Sequence, residues 1–157
     1  MMSDTVLTKQ AYERLQAELE DLTTRGRIEI ANVIEAARAL GDLKENGDYH
    51  AAKDTQGKME ARIRQIQTLL ANATVVDADP NASSKVVPGV IVHIRYEDED
   101  ETYRFFFGSI EEKIDGLDII SPTSPLGQSL NGASSGDFVD YNAPGGFLRV
   151  EVVKIGE

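Results

Sequence analysis

Three carboxylates fall within seven residues in the segment Gly41-Asp42-Leu43-Lys44-Glu45-Asn46-Gly47-Asp48-Tyr49. If Asp42 to Glu45 keep a helical turn, their i, i+3 spacing puts both carboxylates on one face, about 5–6 Å apart at Cβ. Like charges so placed repel by roughly a few tenths of a kcal/mol, and a hard divalent cation would reverse the sign. Mg²⁺ takes oxygen ligands in near-octahedral geometry and is commonly held by one or two carboxylates together with phosphates of a partner. Two carboxylates on an exposed turn are too few to own such an ion, so the remaining ligands would belong to another molecule's site. Asn46 and Gly47 read as capping and turn residues. For Asp42 and Glu45 a simple turn role stays open beside the metal role.

The flanking sequence must position this segment. From Tyr49, the positions Tyr49, Ala52, Gln56, Met59, Ile63, Ile66 and Leu70 follow spacings 3, 4, 3, 4, 3, 4, a heptad seam in which Gln56 alone is polar. Upstream, Tyr12, Leu15, Leu19, Leu22, Gly26, Ile30, Val33, Ala37 and Leu40 form a looser seam. Its 4, 4 spacing from Leu22 through Gly26 to Ile30 predicts a local shift in supercoiling. Thr8 is placed to cap the first helix. The short interruption from Gly41 to Gly47 makes the two helices antiparallel neighbours, an antiparallel coiled coil. Residues 9–40, at about 1.5 Å each, give an arm of roughly 48 Å, more than a small domain needs to bury its core. The acidic segment sits at the far end of that arm.

The whole chain has 157 residues, enough for one domain or two small ones. Lys and Arg number 16 against 27 Asp and Glu, a net charge of −11, which argues against coating nucleic acid or anionic membrane by charge alone. The absence of Cys excludes disulfides, thiol catalysis and Cys-ligated metals and fits a reducing cytosol. Two His are too few for a His-rich metal site. The start, Met1-Met2-Ser3-Asp4, lacks a basic segment followed by an apolar run, and no stretch approaches the roughly 18 apolar residues of a membrane span. These features predict a soluble, cytoplasmic protein without membrane contact.

Charge divides the chain. Residues 1–76 carry 10 basic and 12 acidic residues, whereas residues 77–157 carry 6 and 15. Between the halves, Asp77-Ala78-Asp79-Pro80-Asn81-Ala82-Ser83-Ser84 is small and polar. The expected organisation is an N-terminal coiled-coil domain at 1–76 with its acidic tip at 41–49, a linker at 77–85 and a C-terminal domain at 86–157. In the latter, Val90, Val92, Ile94 and Tyr96 alternate with Ile91, His93, Arg95 and Glu97, the pattern of a half-buried strand. Tyr103–Phe107, Leu117–Ile120, Phe138–Tyr141 and Phe147–Ile155 read as further strands, with Pro144-Gly145-Gly146 turning between the last two. A short helix is expected at Pro125–Leu130, giving an α+β class overall. The five acids Glu97 to Glu101 read as a solvated hairpin loop.

Three stretches, LTKQAYERLQAEL at Leu7–Leu19, GDLKENGDYHAAK at Gly41–Lys53 and SPTSPLGQSLNG at Ser121–Gly132, together resemble the Gre family of bacterial transcript cleavage factors, in the same order and across almost the whole chain. The resemblance implies an arm that enters the secondary channel of a backtracked bacterial RNA polymerase, where the RNA 3′ end is extruded. Asp42 and Glu45 fall on the family's acidic tip positions. They would help hold a second Mg²⁺ at the polymerase active site and orient the attacking water, stimulating an endonuclease that belongs to the polymerase. The chain itself would not be an enzyme. Arg38 and Lys53 match basic positions facing RNA, whereas Lys44 reads equally as a solvated side chain. Tyr49 and His50 match the motif too, Tyr49 as packing and His50 with no catalytic role assigned.

The C-terminal half resembles the FKBP-like domain of these factors, which docks on a coiled coil at the channel rim. Thr123, Ser124 and Pro125 occupy the docking-loop positions, although Thr123 stands where members often have Asp or Asn. Prolyl isomerase activity does not follow from such a likeness. A modest DNA or RNA contact inside the complex fits the same picture. Two rivals stay open on the residues alone: a channel-binding inhibitor without cleavage stimulation, against which the intact GDLKEN frame argues, and a coiled-coil adaptor without metal chemistry.

Overall fold

A computed structural model describes residues 5–157 apart from Ala78, Pro80 and Ala82. Met1 to Asp4, where the sequence predicts no leader, and those three residues of the expected linker lie outside the described residues. The elements run in the order β1 (Thr5–Thr8), α1 (Lys9–Asp21), a π-helical turn (Leu22–Gly26), α2 (Arg27–Arg38), α3 (Gly47–Asn72), β2 (Ala73–Val76), β3 (Ile91–Tyr96), β4 (Thr102–Phe107), β5 (Asp118–Ile120), α4 (Pro125–Leu130), β6 (Phe138–Ala143) and β7 (Gly146–Ile155). The α+β class is observed. By packing, the chain forms two compact units: Tyr12–Asn72, and a second made of the segment up to Ala11 together with Ala73–Glu157.

The unit Tyr12–Asn72 is the helical hairpin. All seven seam positions of α3 turn away from solvent, with Ala52, Ile63 and Ile66 buried and Tyr49, Gln56, Met59 and Leu70 half-buried. Full burial of an Ile side chain is worth about 1.5–3 kcal/mol, so Ile63 and Ile66 anchor the seam. On the opposing side Leu15, Ile30 and Ala37 are buried, and Tyr12, Leu19, Leu22 and Gly26 are half-buried. The seam departs from its expected course at Val33 and Leu40, which are 52% and 71% exposed. Ile34 is half-buried instead of Val33.

The π-helical turn accounts for the 4, 4 spacing. A π turn admits one extra residue per turn, which keeps Leu22, Gly26 and Ile30 on one face without rewinding the whole helix. The Thr23 and Thr24 hydroxyls donate to the carbonyls of Leu19 at 2.8 Å and Glu20 at 2.6 Å. A Cβ at Gly26 would stand 3.2 Å from Met59 Sδ, a tight contact to which the flexible thioether would have to yield. Two ion pairs tie the helices across the hairpin, Arg27 to Glu60 at 3.0 Å and Arg62 to Glu18 at 2.7 Å.

In the other unit a five-stranded sheet has the order β5-β4-β3-β7-β6, antiparallel except for the β4–β5 pair. Val90, Val92, Ile94, Phe107, Leu130, Val150 and Val152 form its core. His93 is on the opposite face from Val92 and Ile94, as the alternation predicts, and bonds the Gly156 carbonyl through Nε2 at 2.8 Å. The five acids link β3 to β4 as a hairpin loop, and α4 spans the residues expected.

A second, two-stranded sheet is not in the sequence reading. There β1 and β2 pair in parallel, Thr5 opposite Ala73 through Thr8 opposite Val76. Parallel neighbours require a long crossover, and here the crossover is the whole helical hairpin. Four-residue strands abutting helices carry too little alternation to be separated from the helices beside them. Thr8 does cap α1, its Oγ1 accepting from the Ala11 amide at 3.2 Å.

Candidate functional site at the turn of the helical hairpin

The acidic segment begins where α2 ends. The amides of Ala39 and Leu40 return to the carbonyls of Glu35 and Ala37 at 3.2 and 3.1 Å, and the Gly41 amide to Arg38 at 3.3 Å. Gly41 then takes φ +114°, a backbone region that side-chain-bearing residues rarely adopt, and the helix stops. Asp42 to Glu45 therefore do not form the helical turn that the i, i+3 reading supposes. Asp42 Oδ1 accepts from the Lys44 amide at 3.0 Å, an Asx turn, and residues 43–45 turn back toward α3.

Asp42 and Glu45 nevertheless share one surface. They line an open depression of about 380 Å³ together with Leu40, Asn46, Gly47 and Asp48. Asp48 lies in the first turn of α3, where the helix dipole favours a carboxylate. The sequence reading counted it among the three acids and gave it no role. Among the described residues the Glu45 carboxylate and Asp42 Oδ2 make no hydrogen bond or ion pair. Both are hard oxygen donors of the kind Mg²⁺ takes. Two carboxylates supply fewer oxygens than an octahedral ion takes, so their chemistry fits a partial ligand set.

Asn46 does cap α3 as expected, its Oδ1 accepting from the Tyr49 amide at 3.0 Å. Its Nδ2 also donates to the Ala37 carbonyl at 2.6 Å, a bond that spacing alone does not predict. His50 Nε2 faces the Lys44 carbonyl at 3.3 Å, and its ring meets Tyr49 edge to face at 5.6 Å. Arg38 and Lys53 are exposed and neither lines the depression; Lys53 Nζ donates to Gln56 Oε1 at 2.9 Å.

In the other unit, Ser124 is taken up locally. Its Oγ donates to the Ser121 carbonyl at 2.7 Å and accepts from the Gly127 amide at 3.0 Å, capping α4, with Pro125 in the first turn. Thr123 and Pro125 are exposed, and the Thr123 carbonyl accepts from Gln128 Nε2 at 2.9 Å. A Cβ at Gly127 would lie 1.8 Å from the Ser121 carbonyl oxygen, so this turn closes only around glycine. Among the described residues no helix is long and apolar enough to cross a membrane.

The family model described as "Transcription elongation factor, N-terminal" matches residues 5–75, and the one described as "Transcription elongation factor, GreA/GreB, C-term" matches residues 80–157. Transcription elongation factor GreA of Saccharopolyspora erythraea is 47% identical over 152 residues, covering 96% of this chain and 93% of the relative. GreA of Thermotoga neapolitana is 40% identical over 154 residues, covering 98% of each. A solved structure of GreA factor homolog 1 from Thermus thermophilus aligns over 99% of this chain and 100% of that one, at 27% identity and a TM-score of 0.44. With both family regions matched in order, and with relatives this similar over nearly its full length, the chain belongs to the GreA/GreB family of transcription elongation factors.

Proposed function

We propose that the chain is an accessory factor of bacterial RNA polymerase whose helical hairpin enters the secondary channel of a backtracked elongation complex. There it stimulates endonucleolytic cleavage of the extruded 3′ RNA by the polymerase's own active site. The observation that carries this reading is a pair of exposed carboxylates, Asp42 and Glu45, on one depression at the turn of a long hairpin. Membership of the family supports the polymerase as partner.

In this reading Asp42 Oδ2 and the Glu45 carboxylate contribute oxygen ligands to a second Mg²⁺ whose other ligands are the polymerase's. Such a metal, when bound, activates the attacking water and stabilises charge on the attacking and leaving oxygens. Asp42 Oδ1 stays with the Lys44 amide, so that the turn keeps its shape while the other oxygen is available. Glu45 orients the water by accepting its hydrogen bond. Arg38 and Lys53 stand beside the RNA backbone. Thr123 and Pro125 meet the channel rim, with Ser124 holding their turn. The chain is a cofactor of cleavage and not an enzyme, and it works in the cytoplasm, where the polymerase does.

The test is transcript cleavage in purified backtracked complexes with Mg²⁺, comparing the intact protein with Asp42→Ala and Glu45→Ala and including a control without polymerase. Rapid cleavage that both variants lose, while they still compete for the channel, is the expected result. An intact protein that only slows nucleotide addition would belong instead to the channel-blocking class. RNA cleavage without polymerase would make it a nuclease.

A further inference from the structure

Residues 38–45 are exposed, Leu43 at 37%, so apolar packing holds the turn that carries Asp42 and Glu45 only weakly. Polar ties supply the rest. Within the turn the Asx bond from Asp42 to Lys44 shapes the loop but does not fasten it to either helix. Asn46 does both ends at once. Its Nδ2 donates at 2.6 Å to the Ala37 carbonyl, in the last turn of α2, and its Oδ1 accepts at 3.0 Å from the Tyr49 amide, in the first turn of α3. Helix ends leave such carbonyls and amides without partners inside their own helix. The Ala37 carbonyl thus takes a second donor beside the Leu40 amide, the Tyr49 amide gains an acceptor, and one amide side chain closes the loop at its base. Its own carbonyl accepts from the His50 amide at 3.2 Å, continuing α3.

Resting on the function proposed above, we infer that Asn46 is a positioning residue for cleavage. Its bridge between α2 and α3 sets where the carboxylates of Asp42 and Glu45 stand, and its cap on α3 is a separable task. Capping alone does not need Asn, because Ser and Asp cap as well. The bridge needs a donor that reaches Ala37: ionised Asp has none, and the Ser hydroxyl is carried on a side chain shorter than the Asn amide. Misplacing a reacting constellation by about 1 Å costs up to about 100-fold in rate.

Asn46→Ser separates the two tasks without adding charge. In the backtracked-complex assay the expected result is a maximal stimulated rate lower by about 10-fold or more, recovered in part by raised Mg²⁺. The protein concentration giving half the effect, the helicity and the melting temperature should stay as in the parent. By hydrogen exchange, the Lys44 amide should exchange faster in Asn46→Ser while the Tyr49 amide stays protected, a readout independent of polymerase. If Asn46→Ser melts early, Asn46→Asp replaces it, keeping the capping oxygen and removing the donor, with the same fall in rate expected. Parental rates in a capped variant, beside an active parent and an inactive Asp42→Ala, would overturn the role of Asn46 and leave the proposed function standing. A variant that loses only affinity for polymerase would overturn it equally. A parent that stimulates nothing would instead remove the function on which the role rests.

Discussion

Glu112 accepts both hydrogen bonds that Thr8 offers, the amide to Oε2 at 2.9 Å and the hydroxyl to Oε1 at 2.6 Å, across 104 residues of chain. Both residues are buried, at 5% and 2% exposure, so neither bond is shared with bulk water. The Thr8 hydroxyl also caps α1, which places the carboxylate at the exit of β1 and the entry to the first helix.

Removing that carboxylate leaves a buried amide and hydroxyl without an acceptor. Glu112→Ala is expected to cost about 1–3 kcal/mol, read by urea unfolding. Glu112→Gln keeps one acceptor oxygen and should recover part of the loss. Thr8→Val should cost about 1–2 kcal/mol through the lost cap and hydroxyl. A double-mutant cycle should show coupling between the two, and additive losses would mean that the contact contributes nothing as a pair.

Asp42→Asn separates geometry from ligation at the hairpin turn. An amide oxygen still accepts from the Lys44 amide, so the Asx turn survives, whereas the charge that a cation requires does not. Stimulated cleavage should fall by about 100-fold or more, the scale seen when a preorganised electrostatic group is deleted, with no change in melting temperature. Near-parental cleavage would assign Asp42 to the turn and leave Glu45 as the ligand.

Gly127→Ala is expected to destabilise the C-terminal unit by about 1–3 kcal/mol, the usual cost of overpacking. Its Cβ would meet a backbone oxygen, not the yielding end of a side chain. Gly26→Ala, whose Cβ meets Met59 Sδ, should be milder, because the thioether can turn away and helix propensity favours Ala. Thermal unfolding of the two variants side by side tests the ordering.

Two phenols should make stability fall at high pH. Burial, and then the Tyr96 hydroxyl at 3.3 Å, push Tyr141 up to about 12. A hydrogen bond to Glu99 at 2.8 Å, and then burial, push Tyr103 up to about 12. A phenol whose folded pKa exceeds its ordinary value near 10 keeps its proton in the fold and sheds it when unfolded. Its contribution is complete below pH 10 and is lost as the pH rises from 10 to 12. Tyr141→Phe should flatten that decline in the urea midpoint. On the acid side, the Arg149 guanidinium holds Asp140 below the usual carboxylate range, as Arg25 does Asp21 and Arg27 does Glu60. What these pairs contribute is present above that range and lost as the pH falls through it, and salt should weaken it.

Much of the architecture was legible because its signals were long and periodic. The α3 seam from Tyr49 to Leu70 is buried or half-buried at each position its spacing predicts, since a sustained heptad leaves no other apolar face to bury. Val33 and Leu40 were misplaced for separate reasons: the covered stripe of α2 runs Ile30, Ile34, Ala37, a 4, 3 spacing in place of 3, 4, and Leu40 lies beyond the end of α2 at Arg38. The acid pair was legible from composition, but its geometry was not. α2 ends at Arg38, Gly41 at positive φ turns the backbone just before Asp42, and the Asx bond replaces the helical face. Glu112 was invisible: it stands next to Glu111 in an acidic, polar stretch, and only the fold brings Thr8 within reach of it.

The parallel pairing of β1 with β2 also has a temporal consequence. Thr5–Thr8 leaves the ribosome first, yet its partner strand Ala73–Val76 follows only after the whole hairpin has been made. Glu112 comes later still. At a synthesis rate of about 5–20 residues per second, Thr8 waits about 5–20 s for its carboxylate. The helical hairpin, whose contacts are local to residues 12–72, has time to close in the interval. The nascent chain can thus complete its helical hairpin before the sheet-bearing unit is made, and Thr5–Thr8 finds its partner only after the hairpin that follows it.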